Sequence, residues 1–476
     1  MTAPRLSVAA KTAYGIGQVA EGVKNGAFNI FLFFFFNQVL GLSGTLAGLA
    51  LLIALVFDAV IDPLAGSISD SLRHRWGRRH PFMYASAIPM AIFFALLFRP
   101  PAGLDQTGLF LWLTVFTILV RAAMTLFVVP HLALGAELSQ DYRERTSVVA
   151  YRTIFSLVGV FVLVAVSWTF FFYSTPAFPN GQLDPSAYPA FGVCFALIIF
   201  ATILLSSLGT HSRIPYLPGP PAVPEALGFS RIRREMTEAL ANRSFRALFL
   251  GVVIFFITRG VQETLGLHMA TYFWQLDPAQ IRTLQLAGAF GFLPGVPFWA
   301  AVSNRMDKKP TFLVACVGFS VLTLLPPLAF LAGAFPSPSS PAYFPTLLAV
   351  GASAAFSAAG GLVTSGSMMA DIADEHELLT GNRQEGIFFG ALLLAVKSAS
   401  GLGHGIAGFA MDAIGFPTQA IPGQVAMQTL AALGILYGPG IAFLAAIGLA
   451  FMTGYHLDHR RHADIVAALA ARASRA

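Results

Sequence analysis

Of 476 residues, 56% are hydrophobic and only 11% are charged, with a mean hydropathy of +0.70. A water-soluble chain of this length needs a polar skin that so few charged side chains cannot supply, so a soluble globular protein is excluded and the apolar surplus faces lipid. The net charge of +6 sits in short loops between apolar runs, which fits membrane topology better than nucleic-acid binding.

The opening MTAPRLSVAAK lacks the apolar core and small-residue cleavage site of a signal peptide, so the first helix is expected to serve as the insertion signal. A bilayer core takes about 20 apolar residues per helix. Runs of that length recur near 12–40, 45–70, 82–99, 108–136, 148–173 and 190–208, then near 244–274, 281–302, 311–333, 343–373, 385–415 and 426–455. The pattern predicts an all-α membrane protein of about twelve helices. Cys194 and Cys316 lie inside these runs, where their spacing supports neither a disulfide framework nor a metal site.

The loop 71–80 carries Arg73, Arg75, Arg78 and Arg79, and the loop 303–310 carries Arg305, Lys308 and Lys309. Basic loops stay in the cytoplasm, and the arginines of 209–243 and of the tail place both termini there too. PAGLDQTG, STPAFPNGQLDPSAYP, GAFPSPSSPAY and GFPTQAIPGQ contain no Lys or Arg and face the other side. The expected location is a bacterial-type inner membrane.

PYLPGPPAVPEALGF followed by RIRREMTEAL reads as an irregular linker and a short amphipathic helix on the membrane surface. The expected organisation is a six-helix bundle over 1–208, a linker over 209–243, a second bundle over 244–455 and a tail over 456–476. GSISDSLRHRWGRRHPF after helix 2 matches AAVSNRMDKKPTF after helix 8, and GAELSQDYRERTS after helix 4 echoes MADIADEHELLTGNR after helix 10. Two parallel halves of this kind are the plan of the major facilitator fold.

YGIGQVAEG, VFDAVIDPLAGSISDSLRHRWGRRHPF and MADIADEHELLTGNRQEGIFFG together resemble the glycoside-pentoside-hexuronide:cation symporters, of which the melibiose carriers are the best-known members. The resemblance implies a cation site at Asp58 and Asp62 on helix 2, with help from helices 1 and 4. It also implies sugar contacts from acids on helices 1 and 4 and from an arginine on helix 5, here Arg152. Thr125 matches a hydroxyl position of the family, and Lys397 on helix 11 is in register with a lysine that neighbours the cation site. Three positions depart from the pattern: the helix 1 Lys-Asp pair falls on Glu21 and Gly22, the helix 4 acid on Val128, and an Asn of helix 2 on Ile61.

Asp58 and Asp62 lie one turn apart on one helix face, where they can share a cation or an exchangeable proton. A carboxylate at mid-membrane costs roughly 2.5–3.5 kcal/mol on insertion scales, so a pair of them points to function. Arg121 is grouped with the solute-binding residues, and it is also the partner that a purely structural pair with these acids would use. With Ile61 and Val128 offering no oxygen, proton coupling is favoured over sodium. Glu21 and Lys24 can pair across one turn of helix 1 or sit on the helix surface.

Arg152 offers a planar fork to hydroxyls or a carboxylate, or locks with Glu137 or Asp141. Lys397 needs a counter-charge, for which Asp58 or Asp62 is the candidate, unless it snorkels to an interface. Arg259 and Glu263 in ITRGVQETLGLHMATYFW can pair at i, i+4 and either bind solute or brace the cavity wall. Tyr272 and Trp274 read as interface anchors, and Phe33 to Phe36 as lipid-facing bulk. Asp70, Arg75 and Arg78 near the first basic loop, with Glu137, Asp371, Asp374 and Arg383, form a candidate gating network.

An enzyme is not supported, because no metal-ligand cluster, nucleophile elbow or phosphate loop occurs at a usable place. A channel needs a continuous polar path, whereas these charges gather at mid-membrane and at the cytoplasmic ends. The expectation is a cation-coupled symporter of a sugar, glycoside or uronide, with a carrier of lysolipids or other amphiphiles as the alternative. It has no cofactor beyond H+ or Na+, and it acts as a monomer among membrane lipids.

Overall fold

The computed structural model describes residues 5–139, 141–217, 237, 239–381 and 385–473. Among the described residues, twelve helices are long and apolar enough to span a membrane: α1 Val8–Val39, α2 Gly44–Ser71, α3 His80–Leu97, α4 Gln106–Glu137, α5 Glu144–Phe171, α6 Ala187–His211, α7 Arg243–Phe273, α8 Pro278–Met306, α9 Lys308–Leu331, α10 Tyr343–Thr380, α11 Gly390–Ala413 and α12 Met427–Gly454. A short helix, α13, runs over His459–Ala473. No β-strand occurs among the described residues, because with no water in the bilayer core each spanning segment satisfies its own backbone. Most of the expected surface helix at 231–240 lies outside the described residues.

The chain folds into two compact units, one formed by Met1–Leu227 with the short segments Asp277–Ala279 and Thr418–Ala420, the other by the remainder. In the first, α1 packs against α5 and α6, α3 against α4 and α6, and α2 against α4. In the second, α7 packs against α11 and α12, α9 against α10 and α12, and α10 against α11 and α13.

Polar side chains start the helices by accepting backbone N–H groups that have no intrahelical partner. Ser43 Oγ accepts from Leu46, Asp105 Oδ1 from Gly108, Asp141 Oδ1 from Glu144 and Asn242 Oδ1 from Phe245, at 2.8–3.3 Å. The first helix of each unit ends the same way. α1 widens into a π-helical turn at Phe35–Val39, Leu40 N–H donates to Phe35 O, and Leu42 N–H donates to Phe36 O. α7 widens at Met269–Phe273, Trp274 N–H donates to Met269 O, and Leu276 N–H donates to Ala270 O. The turn residue has positive φ in both, +85° at Gly41 and +50° at Gln275. This shared terminus is an internal repeat that the residue types alone conceal.

Two readings of aromatic residues are corrected. Phe33, Phe34, Phe35 and Phe36 are at most 2% exposed and are not lipid-facing. Consecutive helical residues point in all directions, so their joint burial means that α1 is surrounded by protein; Phe35, for instance, stacks on Tyr188 with centroids 4.0 Å apart. Tyr272 and Trp274 are also buried. The Tyr343 hydroxyl donates to Trp274 O at 2.9 Å, and Trp274 packs on Phe330 and Phe335, so this indole is a packing residue and not an interface anchor.

Candidate functional site

α2 and α4 run side by side with a fixed offset of 63 residues. Arg121 Nη1 donates to Asp58 Oδ2 at 2.5 Å, with both side chains buried. One turn along, Thr125 Oγ1 donates to Asp62 Oδ1 at 2.8 Å. The two aspartates therefore face two different partners, a fixed cation and a hydroxyl. Pro63 follows Asp62 inside α2, and a proline in a helix leaves the carbonyl four residues earlier without its usual donor. Phe28 of α1 lies near two cations, with Arg121 and Lys24 each 5.6 Å from its ring centroid. Lys24 Nζ also donates to Asn25 Oδ1 at 2.7 Å.

α1 and α5 cross in backbone contact. A Cβ on Gly22 would run into Ser156 O, and one on Gly159 would lie 2.5 Å from Val19 O. The departure at Gly22 has this physical cause, since an aspartate there would collide with α5. The crossing brings Arg152 of α5 and Glu21 of α1 into the surroundings of the Tyr14 hydroxyl, close enough for both charges to act on the phenol. Glu137 is clasped elsewhere and the Asp141 side chain caps α5; a lock between Arg152 and either is not what forms.

α7 carries a connected polar chain. Arg259 Nη1 donates to Gln262 Oε1 at 2.9 Å and Nη2 to Glu263 Oε1 at 2.7 Å. Tyr437 of α12 lies near Gln262, Arg259 and Glu263, and the Arg259 guanidinium lies over Phe319 of α9, 5.3 Å from its centroid. Lys397 is half-buried on α11. Among the described residues, no group of three or more His, Cys, Asp or Glu side chains is placed to hold a metal ion.

Residues 13–459 match the family described as MFS/sugar transport protein. The chain belongs to that family. The transporter is 23% identical over 415 residues to the putative glycoside/cation symporter YagG of Escherichia coli (strain K12), covering 87% of this chain and 84% of that protein. It is 27% identical over 470 residues to the sphingosine-1-phosphate transporter MFSD2B of Mus musculus, covering 94% and 89%. Its fold matches the crystal structure of the D-xylose-proton symporter with a TM-score of 0.64 at 14% identity, covering 94% and 98%. It is an integral, multi-pass secondary transporter, and its relatives are carriers rather than enzymes.

Each half of the transporter has a clasp at its basic end. In the first, Glu137 Oε1 accepts from Arg78 Nη2 at 2.8 Å and from Arg79 Nε and Nη2 at 3.1 and 2.8 Å, while Arg79 also reaches Asp70 and Ser69. Arg75 lies over Trp76 and is not part of this clasp. In the second, Lys308 Nζ donates to Asp371 at 2.6 Å. The basic residue opens α3 or α9, and the acid lies near the end of α4 or α10. Arg383 lies outside the described residues.

The tail adds partners that the residue pattern does not announce. His462 of α13 lies 3.3 Å from Asp371 and 3.1 Å from Asp374, Arg461 reaches Glu375 at 3.0 Å, and Leu457 and Ile465 join the core of this half. Burial, then the carboxylates of Asp371, Asp307 and Glu375, push the nearby Tyr455 phenol well above its ordinary range. Within the first half, His131 escapes the motif pattern: it stacks on Tyr14 with centroids 4.2 Å apart and accepts or donates with Gln18 and Ser206. Its only sequence signal is a polar residue inside an apolar run.

Proposed function

We propose that the transporter couples uptake of a sugar, glycoside or uronide to entry of a proton, with both termini in the cytoplasm of a bacterial inner membrane. The observation that carries this reading is the guanidinium of Arg121 on Asp58. A sodium ion at that carboxylate must displace a cation already fixed there, and like charges at such a distance repel strongly in a low dielectric. A proton needs only a lone pair. Protonation of Asp58 cancels the charge that holds Arg121 and frees its fork for the solute; Asp62, with Thr125, is the second acceptor one turn away. Glu21, Tyr14 and Arg152, grouped elsewhere along the same half, add groups that can read hydroxyls, and the family description together with the glycoside/cation symporter relative supports the solute class. The arginines of the loop 71–80 and of the tail support the orientation.

Uptake of labelled glycosides into proteoliposomes tests this. An inward pH gradient at fixed sodium should drive accumulation, and a sodium gradient at fixed pH should not. Sodium-driven accumulation indifferent to pH would refute the proton assignment. The second reading, an amphiphile carrier, is favoured by the sphingosine-1-phosphate transporter relative and by the apolar Val128. Gly22 does not add to it, because packing against Ser156 explains the missing side chain. Counterflow with glycosides, glucuronate and lysophosphatidylcholine separates the two.

A further inference from the structure

We infer that the polar face of α7 is a second solute subsite, charge-neutral and built to read paired hydroxyls of an uncharged sugar ring. The inference rests on the sugar-transport reading above. Arg259 lies 16 residues into Arg243–Phe273, about 24 Å along a helix of about 46 Å, hence near mid-membrane. Arg259, Gln262, Glu263 and Gly266 fall on one helix face at i, i+3, i+4 and i+7, and all are half-buried while their neighbours are mostly buried. The side chains of Arg259 and Glu263 are 23% and 33% exposed, and a Cβ on Gly266 would meet nothing within 4 Å. Open charged groups at this depth face a water-filled cavity rather than hydrocarbon.

The pair is also fixed in orientation. Phe319 supports one face of the guanidinium, and Gln262 and Glu263 hold its edge. Such rigidity is what a recognition site needs and a lipid-facing pair does not. Its place in the fold repeats the first half. Gly403 of α11 meets Gly260 of α7 backbone to backbone, with an added Cβ 2.6 Å from Gly260 C, as Gly22 meets Ser156 in the α1–α5 crossing. Arg259 precedes its crossing glycine as Glu21 precedes Gly22, so each half presents a charged residue at the same point of the same crossing.

Because Glu263 neutralises Arg259, the site offers little net attraction to a carboxylate. It does offer N–H donors and carboxylate lone pairs a few ångströms apart, the arrangement that vicinal hydroxyls satisfy. Glu263 thereby sets selectivity for neutral glycosides over uronates.

The test is counterflow and KM in proteoliposomes with labelled methyl glycosides, glucuronate and lysophosphatidylcholine, together with thermal unfolding of the detergent-purified protein. Glu263→Gln should raise KM for methyl glycosides roughly 10- to 100-fold, the loss expected for a hydrogen bond to a charged group, and should shift preference toward glucuronate. The double variant R259E/E263R restores an ion pair; recognition predicts recovered thermal stability without recovered KM, whereas a bracing pair predicts recovery of both. Wild-type transport of glycosides with KM unchanged in E263Q, or KM rescued by the swap, overturns this inference alone. Wild-type transport of lysophosphatidylcholine with no sugar overturns the solute reading, and this inference falls with it.

Discussion

Arg121 and Asp58 form a buried ion pair between α4 and α2, and Thr125 and Asp62 repeat the same 63-residue offset one turn further along. The acid that carries the coupling proposal is therefore neutralised by protein before any ion arrives. In the proposed coupling, protonation of Asp58 competes with its ion pair to Arg121.

Removing one partner leaves the other buried and uncompensated, which costs about 3–5 kcal/mol. Asp58→Asn and Arg121→Gln should each lower the thermal midpoint of the purified protein, and the double variant should recover most of the loss. D58N should keep counterflow while losing accumulation against a gradient. If D58N still concentrates solute along a pH gradient, Asp58 does not carry the coupling proton.

Arg121→Gln carries a second expectation. With the fixed cation gone, Asp58, Asp62 and Thr125 bring oxygen-bearing side chains together between α2 and α4 without a competing positive charge, a better set for sodium. Uptake by R121Q should be stimulated by sodium and wild-type uptake should not, read as initial rates against sodium at constant pH. Equal sodium indifference in both proteins would mean that Arg121 is not what excludes the ion.

Much of this is legible in the residues. Twelve apolar runs, the paired basic loops and the acids of α2 lead to the fold and to Asp58 and Asp62. Arg121 and Thr125 are legible as candidate partners of these acids, but which acid takes which is not, because periodicity gives the face of a helix but not the register between two helices. Gly22 reads as a lost binding residue, since a missing side chain is ambiguous until the crossing with α5 is seen. The run Phe33–Phe36 misleads for a related reason: hydrophobicity is the same whether lipid or protein lies outside. His462 stays hidden because a tail rich in charge reads as solvated.

Gly22 yields a packing prediction. A methyl group there would overlap Ser156 O, and backbone on both sides cannot yield as a flexible side chain can. Gly22→Ala should destabilise the protein by about 1–3 kcal/mol or more and weaken solute binding by moving Glu21 away from Arg152. Gly266→Ala, which meets open space, is the control and should fold normally. A stable G22A with unchanged KM would show that the α1–α5 approach is looser than described.

The contacts of α13 give the last prediction. Arg461, His462, Leu457 and Ile465 bind the tail to the acidic end of α10, yet Arg461 remains 56% exposed, and exposed pairs contribute little individually. Leu457 and Ile465 should then carry most of the docking. Ile465→Asp, which puts a charge into that core, should release α13 and speed trypsin cleavage at Arg460 and Arg461 about tenfold or more. The pair D374N/E375Q, which removes acceptors but keeps the apolar contacts, should speed it only a few-fold. The reverse order would show that charge, and not burial, holds the tail.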